Sequence, residues 1–481
     1  MFVSGPAFAA ADIDLTEQMK LSLVYLDVSS YAYNRMQPWR PADIIVKTGY
    51  GCAVGPYEIL TTAFNAADAA HIKVRRYGQN EFIPATVKAI DYHSNLSLLT
   101  LDKGAMDKPL KPLKFAGDYK KDAELKSYWL SSGGHLTTGR GYLDRAEVAQ
   151  SATSYAHFLN YIVSDIASDT GRSRLYCLGK KPIGIACWTD PDVSEAGVIP
   201  AVIINRFLAD AADGKYDGFA SVGFSTSRLL DPAKRDWLKM PDNIKHGVYV
   251  SKVHNLGTGS KMLKPNDVIL SIDGKTLNPY GRFKHPELDR ISFRHLINSK
   301  GVGSKVKFEI WRDGKKQKLD ITTTNFDGGD MLVPYYEHKE PEYIVTAGFV
   351  FQKMTRPYLS MWGKDWPGKV PSHLYHYYRD RAFKPSEERS DIVILSYVLP
   401  HPVNMGYQKL GRVVVKTVNG MKIGSLADIV EARKLNPQSL FDVIEFEQYN
   451  PKVVIPHAGL GEINRMIAQS YGIGKLANLP R

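Results

Sequence analysis

Short β-type runs fill residues 21–210 and constrain the fold more than any other feature. "DIIVKTGYGCAVG", "YEILTTAF", "HIKVRRYG", "IPATVKAIDY", "LSLLTLD" and "KPIGIACW" are rich in β-branched, apolar and aromatic residues, and Gly, Pro or Asp soon interrupts each of them. Short strands at such spacing close into a barrel or stack as a sandwich, because one small sheet would leave an apolar face and two edges in water. The series ends in "VIPAVIINRFLADAADGK", where Ile203, Phe207 and Leu208 mark an apolar helix face and Gly214 supplies a stop. A domain boundary is expected between residues 212 and 213.

The chain has 481 residues, enough for about three units. In the second, "GVYVSKV" alternates as a strand, and "VILSIDG" is a strand ending in an Asp273-Gly274 turn. "RISFRHLINSK" reads as an amphipathic helix, and "KVKFEIWRDGKKQKLDITT" as a hairpin through Asp313-Gly314. After the polar "NFDGGD", the stretch "VVVKTVNGMKIGSLADIVEARKL" repeats the order strand, Asn419-Gly420 turn, helix. The third unit is thus read as a degenerate copy of the second. The expected division is 1–20 as a leader remnant or tail, 21–212 as the first domain, and 213–328 and 329–481 as the two related modules.

Hydrophobic residues make up 44% of the chain and charged residues 23%, which excludes a disordered or fibrous protein. The net charge is +12, but Lys and Arg are spread out, without a basic block or a recognition-helix pattern, so no nucleic-acid partner is expected. Cys52, Cys177 and Cys187 lack CxxC spacing and the thirteen histidines include no HExxH, so no metal and no cofactor is expected. One disulfide would leave one cysteine over. "MFVSGPAFAAADIDL" has an apolar stretch and small residues suited to leader cleavage, without the charged start. It is read as a leader remnant, making the protein periplasmic or secreted; a frayed tail is the alternative. No apolar run approaches the ~20 residues of a membrane span.

Three further stretches carry chemistry. "GCAVGPYEILTTAF" sets Phe64 after Thr62 and Ala63 at the end of a strand; "DYHSNLSLLTL" contains Asn95; "DTGRSRLYCLGKKPIGI" contains Gly171, Ser173 and Ile183-Gly184-Ile185. Residues 44–210 with these motifs resemble the protease domain of the Deg/HtrA serine proteases, and the following units resemble their PDZ domains. The tail, with "AGFVFQKMTRPYLSMWGKDW" and "ILSYVLPHPVNMGYQKLGRVVVKTVNG", is similar to plant-type Deg enzymes with two PDZ domains. The resemblance implies a mainly β fold: a chymotrypsin-like double β-barrel followed by two PDZ-like domains. It puts Phe64 at the position of the family's general-base histidine, Asn95 at that of its aspartate and Ser173 at that of its nucleophile. Arg172 and Arg174 flank that serine, and the glycine pair after it is gone. A serine attacks only when a base takes its proton and a carboxylate holds that base. Phe64 accepts no proton and Asn95 carries no charge, so a degenerate triad with no catalytic residue is expected. An atypical serine endopeptidase using another base, such as His71 or His93, is the alternative.

PDZ domains add a peptide as a strand and seat its terminal carboxylate on the N–H groups of an x-Φ-G-Φ loop. In the first module that loop would be Ser221, Val222, Gly223 and Phe224, facing a helix wall at Phe293, Leu296 and Ile297. In the second it would be Ala347, Gly348 and Phe349, in a groove that the resemblance suggests is filled internally. "WGKDWPGKVPSHLYHYYRD", with Trp362, Trp366, Tyr375, Tyr377 and Tyr378, is either a core stripe or a protein-contact surface. The expected function is binding: a pseudoprotease acting as scaffold, adaptor or chaperone in the cell envelope, with protein or peptide C-termini as partners. The resemblance also implies a homo-oligomer, a trimer first. A regulatory subunit of an active relative is a further alternative.

Overall fold

The computed structural model describes residues 15–117, 119–165, 171–326, 328–335, 340–435, 437–448 and 452–479; the leader reading rests on residues 1–14, outside them. After helix α1 (Leu15–Ser22), strands β1 (Leu23–Ala32), β2 (Asp43–Gly55), β3 (Glu58–Thr61), β4 (Ala69–Arg76), β5 (Phe82–Asp91) and β6 (Leu96–Leu101) close a barrel in the order β1-β2-β3-β6-β5-β4. A one-turn helix, α2 (Ala63–Ala66), links β3 to β4. Val24, Leu26 and Val28 of β1 alternate into this barrel against Ile72, Val74, Leu99 and Leu101. The second barrel holds β7 (Glu124–Leu130), β8 (Leu136–Gln150), β9 (His157–Asp165), β10 (Leu175–Leu178), β11 (Lys181–Asp190) and β12 (Glu195–Pro200), in the order β10-β11-β12-β9-β8-β7. The chain is thus mainly β, a chymotrypsin-like pair of six-stranded barrels.

The seam between the barrels is a second apolar core. Cys52, Leu60 and Leu98 from the first barrel meet Trp129, Leu175, Cys177 and Ile185 from the second, and α3 (Ala201–Asp210) adds Phe207. All three cysteines are buried free thiols, and the one disulfide that their number allows is not formed. The helix ends at Gly214, whose φ of 83° suits the residue that faces least penalty in the left-handed region. The linker beyond is tied to the first barrel: the Tyr216 hydroxyl donates to Asp91 Oδ2 at 2.6 Å, while Asp91 Oδ1 accepts from His93 N at 2.7 Å.

The first module contains β13 (Phe224–Ser227), α4 (Pro232–Trp237), β14 (Val248–Val253), β15 (Val268–Ile272), β16 (Lys275–Thr276), β17 (Arg282–His285), β18 (Asp289–Ser292), α5 (Arg294–Asn298), β19 (Lys305–Arg312) and β20 (Lys315–Thr322). Its main sheet runs β13-β14-β15-β19-β20, leaving β13 at an edge. The Asp273-Gly274 and Asp313-Gly314 turns have φ of 47° and 74°, and of 52° and 76°, as type I′ hairpin turns require. The helix read over "RISFRHLINSK" is shorter than expected. Arg290 and Ile291 pair with Lys284 and Phe283 in the β17–β18 hairpin, and only five residues remain helical.

The second module repeats the plan. It has β21 (Tyr343–Thr346), β22 (Phe349–Lys353), an insert with α6 (Arg356–Ser360), α7 (Trp366–Lys369) and α8 (Ser372–His376), then β23 (Val393–Val398), β24 (Val413–Val418), β25 (Met421–Lys422), α9 (Leu426–Lys434), β26 (Phe441–Phe446), β27 (Val453–Pro456), α10 (Leu460–Tyr471) and β28 (Ala477–Asn478). Trp366 of the aromatic segment is buried in the insert's own core with Tyr358 and Leu374, and Tyr375 and Tyr378 pack on it. Trp366, Val370 and Leu374 of the segment are buried, the other four aromatic residues pack half-buried against them, and Tyr378 also reaches the first module's cavity.

Candidate active site and peptide groove

Phe64 is the second residue of α2 and is half-buried. Its backbone N–H donates to Asn95 Oδ1 at 3.0 Å, so the two positions that the resemblance aligns with base and carboxylate are neighbours. The ring is not empty-handed: the Arg172 guanidinium carbon lies 3.6 Å from its centroid, and Lys47 Nζ lies 5.6 Å away. Burial pushes the pKa of both cations down, Arg172 itself adding to the effect on Lys47. Both still donate positive charge to the ring's negative face, a contact worth about 0.5–2 kcal/mol.

Ser173 is buried and engaged elsewhere. Its Oγ lies 3.1 Å from Thr61 Oγ1, accepts from Thr62 N at 3.0 Å and from Asn65 Nδ2 at 3.2 Å, and donates to Thr62 Oγ1 at 3.2 Å. Among the described residues no histidine nitrogen reaches it: His71 is exposed on β4, and His93 packs edge-on to Tyr155. The Ser173 N–H, of the kind an oxyanion hole would use, donates to Ala186 O at 2.7 Å. Ser173 also holds a φ of 69°, a conformation glycine adopts most cheaply. Gly171 is required by packing, since a Cβ there would stand 2.2 Å from the Tyr50 ring.

The peptide-groove candidates separate into two groups. Phe224 and Phe293 stack at 5.6 Å and, with Ile297, are buried in the first module's core, so they shape the groove from beneath. The residues that α5 presents to the open space are Arg294 and Asn298, not Phe293 and Ile297. That space is a cavity of about 240 Å³. Ser221 and Val222 line one side, Phe158 of the second barrel another, and Tyr378 and Phe383 of the insert roof it. The roof is tied down by Asn255 N donating to Phe383 O at 3.1 Å, Asn255 Nδ2 donating to Pro385 O at 2.7 Å, and a Lys252–Asp380 ion pair at 2.8 Å. Gly223 lies against Gly257, where a Cβ would come within 2.6 Å of its carbonyl oxygen.

The loop's own donors are largely committed. Ser221 N donates to Thr324 O and Gly223 N to Thr258 O, each at 2.9 Å. His254 Nε2 lies 3.1 Å from Ser225 Oγ. Burial first, and the Arg294 charge second, push His254 and His157 down to about 4.

Residues 223–323 and 333–477 match PDZ-domain families. "Protease Do-like 4, mitochondrial" of Arabidopsis thaliana is 27% identical over 91% of this chain and 81% of its own length. "Protease Do-like 2, chloroplastic" of the same plant is 28% identical over 91% of this chain and 71% of its own. Across most of its length the chain is similar to the Do-like proteases of the Deg/HtrA type. A solved HtrA-type protease, an AlgW variant with a decapeptide, shares the fold at a TM-score of 0.50 and 15% identity, covering 65% of this chain and 97% of that one.

In this Deg/HtrA-like chain the second PDZ groove is occupied from within. β22 corresponds to β13, but its free edge is paired antiparallel with β21, Tyr343 facing Gln352 and Thr346 facing Phe349. The loop read as Ala347-Gly348-Phe349 is the turn of that hairpin, with φ of 48° and 85° at the first two. Ala347 N donates to Asn464 Oδ1 at 2.7 Å, and Asn404 Nδ2 donates to Ala347 O at 2.8 Å. A strand and two side chains of the protein thus take the place a peptide and its terminus would need.

Among the described residues no group of three or more His, Cys, Asp or Glu is placed to hold a metal, and no helix is long and apolar enough to cross a membrane.

Proposed function

We propose that this Deg/HtrA-type protein is a pseudoprotease that works by binding protein or peptide C-termini at its first PDZ module, as a scaffold, adaptor or chaperone of the cell envelope. The observation that carries the proposal is the Phe64–Arg172 stack: the position of the general base holds a ring that accepts no proton, under a cation where an imidazolium would have to form. A serine without base or carboxylate is an ordinary alcohol, and Ser173 is spent on Thr61, Thr62 and Asn65. Binding through the first module is favoured because its edge strand β13 is unpaired on one side, whereas the second module has filled its own.

The test is a fluorophosphonate label and an unfolded β-casein digest on purified protein. No label at Ser173 and no cleavage are expected. Efficient labelling there would reverse the proposal in favour of an atypical serine endopeptidase, the reading that the names of the relatives favour. Export to a periplasmic or extracellular space is part of the proposal and is checked by sequencing the mature N-terminus, expected between about residues 9 and 12. A homo-oligomer, a trimer first, is likewise proposed and is read by light scattering.

A further inference from the structure

The cavity beside Val222 has a one-sided charge. His93, His157, His254, Arg294 and Arg379 line it, and among the described residues no aspartate or glutamate does. Arg294 stands at the start of α5 with its guanidinium turned into this space. It makes no side-chain hydrogen bond or ion pair among the described residues, and its nearest aromatic face is Phe293, 5.7 Å away. Arg294 is half-buried, and burial pushes its pKa down. The nearby carboxylate, Asp380, is paired with Lys252 at 2.8 Å and His376 at 3.0 Å, and so is unavailable. A half-buried cation that no side chain among the described residues pairs with is free to meet an anion from outside.

The loop offers that anion little. Two of its N–H groups are bonded to Thr324 O and Thr258 O. Apolar Val222, Phe158 and Phe383 share the lining with polar Ser221, Ser225 and Asn298. At about 240 Å³ the cavity is smaller than the roughly 300–1,000 Å³ of sites for drug-sized ligands. It suits the end of a chain, not a long extended segment.

We propose that Arg294 is the anion receptor of this groove, binding a carboxylate that carries an apolar side group, and so making up for the two loop N–H groups that are bonded within the protein. The inference rests on the reading of the first module as a C-terminus binder, and a free carboxylate metabolite would offer the same chemistry. An arriving carboxylate meets the Arg294 guanidinium as a charge-assisted, two-pronged pair in a site that excludes most water. His157 lies against Arg294 from the second barrel. His254 faces it from beyond β14, with Lys252 and Lys384 as the other charges on it. Neutral at rest, both histidines gain protons more readily once the anion is in place.

The experiment uses the full chain and an array of random decapeptides in paired free-acid and C-terminal-amide forms, with N-acetylphenylalanine and its amide as small probes. Free-acid peptides are expected to bind at least tenfold tighter than their amides. Arg294→Gln should erase that preference, and Arg294→Lys should restore part of it. Because Arg294 is half-buried and makes no side-chain hydrogen bond or ion pair among the described residues, Arg294→Gln should also melt at or above the wild-type temperature, which a merely structural arginine would not do. Equal binding of acid and amide, abolished in both by Val222→Asp, would overturn the inference and leave the groove a peptide binder. Acid preference surviving in Arg294→Gln would overturn it too. Arg294-dependent binding of N-acetylphenylalanine with no peptide captured would overturn the chain-end reading and make the site one for small carboxylates.

Discussion

The guanidinium of Arg172 lies flat enough over Phe64 to bring its central carbon within 3.6 Å of the ring centroid. Two residues on which the pseudoprotease proposal rests are therefore coupled in space. Each explains the other: an arginine in the loop needs a face to lie on, and a half-buried aromatic ring needs a cover. A double-mutant cycle of Phe64→Leu and Arg172→Gln should give a coupling of about 1 kcal/mol in urea unfolding. A coupling near zero would mean that the contact is incidental.

Restoring the two missing triad side chains should not restore a protease. In Phe64→His with Asn95→Asp, the new imidazole meets Arg172 at its face, and Ser173 Oγ is still held by Thr61, Thr62 and Asn65. The Ser173 N–H remains bonded to Ala186 O. Loss of one oxyanion donor alone costs about 10²–10³ in rate. Casein turnover at the detection limit is expected, and robust turnover would show that the loop re-forms around a restored base.

Acid should loosen the junction of the three units. His157 and His254 have folded-state values near 4, against an ordinary 6.5. Between these values the unfolded chain takes protons that the folded chain refuses. The contribution to stability is thus intact above pH 6.5 and lost as pH falls toward 4. Allowing for partial solvent access, each histidine accounts for about 1–2 kcal/mol over that window. Urea midpoints at pH 7.5, 5.5 and 4.5 test this. His157→Gln should flatten the profile, and an unchanged slope would count against it.

How much of this was legible in the sequence depended on how local the cause was. The Asp273-Gly274, Asp313-Gly314 and Asn419-Gly420 turns were readable because two residues decide a hairpin turn, and the repeated module followed from them. The neighbourhood of Phe64 and Asn95 followed from motif order. The stack of Arg172 on Phe64 did not, since it joins loops 108 residues apart through the closure of two barrels. The groove wall was misplaced by one residue for a similar reason. Phe293 and Ile297 are the apolar residues that a helical pattern highlights, and burial claims them. The polar neighbours Arg294 and Asn298 are left to face the cavity. A charged residue beginning a short helix opposite an x-Φ-G-Φ loop was the available signal.

The self-filled groove predicts an asymmetry between the modules. Gly348 has a φ of 85°, and a Cβ there would fall 2.4 Å from Asn404 Nδ2 and 2.5 Å from Leu399 O. Gly348→Ala should destabilise the second module by about 2–3 kcal/mol, through backbone strain and a clash with groups that cannot retreat. Hydrogen exchange should show β21 opening first. Peptide capture by the first module should stay within about twofold of wild type; a larger loss would mean that the second module takes part in binding.

Ser173→Ala and Val222→Asp separate a binding protein from an enzyme. Ser173 Oγ satisfies the buried Thr62 N–H and Asn65 amide, so its removal leaves donors unpaired and should cost about 1–3 kcal/mol of stability. Binding should be untouched, because the first-module cavity is lined by other residues. Val222 is half-buried beside that cavity, so an aspartate there is tolerated by the fold. It sets a like charge beside an incoming carboxylate, a repulsion of several kcal/mol. Phe224 cannot serve the same purpose, since its ring is stacked in the core on Phe293. Measured by peptide polarisation alongside thermal melts, Ser173→Ala should lose stability and keep binding, while Val222→Asp should keep stability and lose binding. The opposite pairing, with biological activity lost in Ser173→Ala at full binding, would place the function at the serine.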